Sequence, residues 1–123
     1  MYYVPFRLGP VALTNTYTTN ILNPAAAGSG TGYTPTASII VLTHLHILNK
    51  TATSNATFRL YIGLTGANTA GTEFWGFDLN VPAFGQVDYY GEVMLKAADF
   101  LVGGASAATT LTLHGEGRIG LVP

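Results

Sequence analysis

Apolar side chains recur at every second position through much of the chain. In residues 56–64, Phe58, Leu60 and Ile62 alternate with Arg59, Tyr61 and Gly63, the period-two pattern of a half-buried strand. Residues 37–49 form the strongest candidate. There Ile39, Ile40, Val41 and Leu42 are apolar in succession, which predicts a central strand covered from two sides. In 73–81, Phe74, Gly76 and Asp78 alternate with Trp75, Phe77 and Leu79. Further strands are predicted at 11–22, 86–95, 100–102 and 108–119. Polar, glycine or proline punctuation separates them, including a breaker at Gly103-Gly104-Ala105-Ser106. Helix-like composition occurs only at 24–27 and 95–99, each about one turn and too short to stand alone.

Seven or eight short strands without crossover helices predict an all-β fold, an antiparallel β-sandwich or a jelly-roll-like barrel. A parallel sheet would need connecting helices that the chain lacks. No unit of about 20 to 50 residues repeats, which excludes a solenoid or propeller. The chain reads as one domain. Residues 37–123 form the sandwich core, and residues 1–36 form an N-terminal arm or peripheral strand with a Gly- and Pro-rich connection at 23–36.

Composition changes the picture at one point. Of 123 residues only 9% are charged, five basic and six acidic, against about 25% in typical domains. Spread over the roughly 6,300 Å² expected for a monomer of this size, that is about one charge per 570 Å². Either uncharged threonine, asparagine and glycine cover the rest, or a partner does. The net charge of −1 leaves no footprint for nucleic acid. No apolar run reaches the roughly 20 residues of a spanning helix. The opening residues Met1 to Arg7 lack a basic region followed by an apolar stretch, so no secretory signal is expected. The absence of cysteine excludes disulfide and thiol chemistry.

Candidate chemistry is thin. His44 and His46, two apart in the strongest strand, point to one face, and paired imidazoles are half of a metal site. His114, with Glu116 on its own face, is the third candidate. The His-x-His pair is similar to the cupin metal motif. The carboxylate expected a few residues later is absent, since Ile47, Leu48, Asn49, Lys50 and Thr51 follow, and so is the second cupin motif. The plainer reading is a strand face packed on a polar neighbour or a subunit axis, so no metal, cofactor or catalytic residue is expected.

Ser29, Ser38, Ser54 and Ser106 sit in no nucleophile elbow. The carboxylates are too dispersed for a glycosidase pair, although Asp78 and Asp88 can flank the turn at Pro82. Asn49-Lys50-Thr51 and Asn55-Ala56-Thr57 match glycosylation acceptors but read as turn chemistry. Trp75, Phe77, Tyr89 and Tyr90, with His44 and His46, are the candidates for an interface. Trp75, Tyr89 and Tyr90 are also the set a carbohydrate-binding face would use.

From 38 to 121 the chain resembles small β-sandwich virion proteins of tailed bacteriophages. The resemblance rests on a strand ending in Asn49-Lys50-Thr51, a polar turn, the strand from Ala56 to Gly63, and the Val81-Pro82 turn. It continues with Leu95-Lys96-Ala97-Ala98-Asp99-Phe100-Leu101 and the small-residue stretch from Gly103 to Ala108 before a Thr/Leu strand. It implies a non-enzymatic capsid decoration or cement protein of the virion, assembled in the host cytoplasm. Its partners would be itself, as a homo-oligomer with a trimer favoured, and the major capsid protein, with no membrane partner. A tail or neck protein, a glycan-binding surface module and a metal-dependent cupin-like enzyme are the alternatives.

Overall fold

The computed structural model describes residues 1–28, 34 and 38–122. Among these residues eight strands and one helical turn follow in the order β1 (Tyr2–Ala12), β2 (Asn20–Leu22), α1 (Pro24–Ala27), β3 (Ile39–Asn49), β4 (Ala56–Gly63), β5 (Phe74–Val81), β6 (Gln86–Leu95), β7 (Phe100–Ala105) and β8 (Leu111–Leu121). They form two antiparallel four-stranded sheets, one ordered β1-β8-β3-β6 and the other β2-β7-β4-β5. The orders interleave as in an eight-stranded jelly roll, the all-β sandwich the strand pattern predicts. Between the sheets Ile40, Leu42, Leu45 and Ile47 of β3 meet Phe58 and Leu60 of β4, Leu101 of β7 and Leu111 and Leu113 of β8, all essentially without solvent contact.

Several expected boundaries move, each for a physical reason. The predicted first strand at 11–22 resolves into the end of β1, a loop, and the three-residue β2. Strand β1 begins at Tyr2 and pairs along β8 from Tyr2↔Leu121 to Ala12↔Thr112 despite Pro5 and Pro10. It is an edge strand, and an edge tolerates proline where a missing N–H can face outward. The breaker expected at Gly103 and Gly104 lies inside β7. A Cβ on Gly103 would collide with the Arg59 carbonyl oxygen, and one on Gly104 with that of Thr16. These glycines therefore admit neighbouring backbone on both sides of β7. The loop before β2 completes β7's outer ladder, with Gly103 N–H donating to Thr19 O at 3.0 Å and Ala105 N–H to Thr14 O at 2.8 Å. The 95–99 segment is a turn, closed by Lys96 N–H donating to the Asp99 carboxylate at 2.9 Å. Of the expected connection at 23–36, Asn23 caps α1, while 29–33 and 35–36 lie outside the described residues, as do Ala37 and Pro123.

All four sheet edges are interrupted. Strand β1 shifts register between Leu8 and Val11, and β2 is three residues long. Strand β6 shifts register where Leu42↔Val93 gives way to His44↔Tyr90. Strand β5 loops out between Leu79, opposite Phe58, and Phe74, opposite Leu60, with φ of 66° at Trp75, 85° at Gly76 and 49° at Asp78. Short, bulged, proline-bearing edges resist pairing with another sheet.

Candidate functional site

A β-bulge positions the histidines. Strand β3 alternates inward at Ile40 and Leu42, and unbroken alternation would bury His44 and His46 in the core. Leu42 pairs with Gly117 and His44 with Glu116, so Thr43 is an extra residue in β3. The inserted residue flips the parity. Leu45 and Ile47 turn inward, and His44 and His46 reach the outer face of the first sheet. Gly117 makes the bulge sterically possible, because a Cβ there would strike the Val41 carbonyl oxygen and lie 2.8 Å from Leu42 Cα.

Cross-strand register assembles the rest. His46 lies between His114 of β8 and Asp88 of β6, and His44 lies between Glu116 of β8 and Tyr90 of β6. His44 Nε2 is 2.7 Å from Asp88 Oδ1, and His46 Nδ1 is 2.8 Å from the same oxygen. The other nitrogen of His44, Nδ1, is 3.0 Å from Glu116 Oε1. The Tyr90 ring stacks on His44 with centroids 4.5 Å apart and planes 4° from parallel. His44, His46 and Asp88 are half-buried, with side chains 24%, 24% and 26% exposed, whereas Glu116 is 62% exposed. Beside them opens a concavity of about 340 Å³ lined by Arg7, His44, His46, His114, Gly115 and Glu116. The hydrogen bond to Asp88, helped by Glu116 against partial burial, raises the His44 pKa above the ordinary imidazole value. Hydrogen bonds from His44 and His46 hold the Asp88 carboxyl below the ordinary aspartate value.

The three histidines picked out by sequence thus share one patch, with His114 5.8 Å from His46 between ring centroids. The carboxylate closest to both His44 and His46 is Asp88, which sequence reasoning had placed only near the Pro82 turn. Period-two parity in 86–95 puts Asp88 on one face, but the pairing of β6 with β3 is what brings it to His46. Asp78 lies on the opposite sheet. It accepts two bonds from Arg59, at 2.6 and 3.0 Å, while that guanidinium lies 4.4 Å from the ring centroids of both Tyr17 and Phe77. Asp78 and Asp88 therefore form no pair across the turn.

The aromatic candidates divide. Trp75 packs on Phe58 at 5.0 Å and on Tyr89 at 5.6 Å between centroids, closing the side of the core. Phe77 and Tyr90 face out, 57% and 74% exposed. The Trp75, Tyr89 and Tyr90 set expected of a sugar-binding face is split between the interior and the surface. Ser106 Oγ accepts from Thr57 N–H at 2.9 Å, and Ser38 Oγ reaches the Thr34 carbonyl at 3.5 Å. Both hydroxyls are engaged by backbone.

No family model and no curated protein matches this chain. Among solved structures, Eiger TNF from S. frugiperda aligns over 98% of this chain and 92% of its own, at 11% identity and a TM-score of 0.41.

Proposed function

We propose that this chain is a non-catalytic structural subunit that associates with copies of itself and with a shell protein through its sheet faces, in the manner of a phage capsid decoration protein. One observation carries the reading: large apolar side chains stand outside the core. Tyr3, Tyr90 and Met94 on the first sheet, Phe77 on the second, and Leu64 and Phe84 in the loops are each about half exposed or more. Across 6131 Å² of surface the eleven charged groups average about one per 560 Å². Interface centres are depleted in charge and enriched in aromatic residues and methionine. Interrupted edges direct such contacts to the faces, and many modest contacts add up when subunits are arrayed on a particle.

Light scattering of the purified chain across a dilution series tests this. The expected result is a small oligomer, a trimer above all, that Tyr3→Glu/Met94→Glu converts to monomer with an unchanged circular dichroism spectrum. A wild-type chain that is monomeric at every concentration, and fails to co-sediment with phage particles, overturns the reading.

A further inference from the structure

We propose that His44 Nε2, His46 Nδ1 and an Asp88 carboxylate oxygen form the ligand set of a divalent transition-metal site of the zinc class on the outer face of the first sheet. Glu116 acts as the residue that orients His44. The three ligand atoms already lie within 4.8 Å of one another. Zinc–nitrogen and zinc–oxygen bonds of about 2.0–2.2 Å place tetrahedral ligands roughly 3.3 Å apart, so the two nitrogen–oxygen contacts need to open by only about half an ångström. Two imidazoles and one carboxylate suit zinc, cobalt and nickel over the hard cations calcium and magnesium.

The second observation is independent of that spacing. His44 has a carboxylate on each ring nitrogen, Asp88 at 2.7 Å and Glu116 at 3.0 Å. A neutral imidazole carries one N–H only. When Nδ1 donates to Glu116, the contact between Nε2 and the Asp88 oxygen is satisfied by a second ring proton or by a metal ion that displaces that proton. A metal-bound histidine characteristically donates its other nitrogen to a carboxylate in this way. The stack of Tyr90 on His44 fixes the ring plane. The adjoining concavity, lined by His44, His46 and Glu116 among others, leaves room for water at the remaining coordination positions. The three strands that set these residues, β3, β6 and β8, are hydrogen-bonded neighbours in one sheet, so the ligands stand on regular elements rather than loops.

The chelator-treated 123-residue chain is titrated with zinc chloride by calorimetry and with cobalt chloride by visible absorption. The expected result is one ion per chain, and a ligand-field band with cobalt. Asp88→Asn and His46→Ala each weaken binding by at least ~10-fold, and Glu116→Gln weakens it by about 10-fold with the band retained. His114→Ala leaves affinity unchanged. These side chains lie outside the core, and circular dichroism verifies that each variant folds. Saturable binding absent below ~1 mM in the wild type, or affinity that survives intact in folded Asp88→Asn and His46→Ala, overturns the site. The assay uses the isolated chain, so its outcome is separate from that of the assembly test.

Discussion

Asn49 shows what a single residue does here. Within a glycosylation-like triplet it is fully buried, and both ends of its amide are used. Its Nδ2 donates to the carbonyls of Ser54 at 2.8 Å and Val81 at 3.0 Å. Its Oδ1 accepts from the N–H and hydroxyl of Thr51 at 2.9 and 2.7 Å. The turn chemistry was legible in Asn49-Lys50-Thr51; its burial was not, because that depends on the distant Val81.

The Arg59–Asp78 pair is the clearest pH-sensitive element. The two bonds from Arg59 hold the Asp78 carboxyl below its ordinary value. The folded state therefore binds this proton less readily than the unfolded state. The pair's contribution is complete above the unfolded aspartate value of about 3.9 and is lost as pH falls through the depressed native value. Urea unfolding of wild type and Asp78→Asn is expected to show a gap in midpoint at pH 7 that closes below about pH 4. A gap of constant size at every pH contradicts this account.

At the scale of elements, the bulge in β3 is the decisive device. Parity within one strand was readable, and it correctly puts His44 and His46 on a common face. Which face depends on Thr43 having no partner in the register, and on Gly117 opposite lacking a Cβ. Gly117→Ala forces a methyl group against backbone atoms of Val41 and Leu42. It is expected to cost about 1–3 kcal/mol, as overpacking does, and to disturb the contact between His44 and Glu116. Chemical denaturation together with the histidine ring resonances checks both effects, and unaltered stability contradicts the steric argument. The same lesson applies to β5. Its sequence alternates cleanly, yet four residues, Trp75 to Asp78, stand opposite Arg59 alone. The loop-out turns Trp75 inward and leaves Phe77 outside. Strand β1 starts at Tyr2, well before the expected strand at 11–22, and its edge position tolerates Pro5 and Pro10.

For the whole molecule, the class of fold followed from strand spacing and the absence of helices, whereas the assembly of the histidine patch required pairings across β8, β3 and β6. Those pairings join Asp88 to His46, 42 residues apart in sequence. No local pattern encodes such a distance. The same long-range architecture sets Tyr2 directly across from Leu121. Adjacent strands are about 4.8 Å apart, so a short glycine–serine bridge can splice residue 122 to residue 1. Cutting the exposed 65–72 loop between Asn68 and Thr69 then gives a circularly permuted chain with the same strands in a new order of synthesis. It is expected to recover the parent circular dichroism spectrum and one cooperative melt, and failure to do so would mean that the native strand order is itself needed for folding. Cargo fused ahead of Tyr2 or beyond Leu121 would leave from the same corner, clear of the histidine patch at mid-strand.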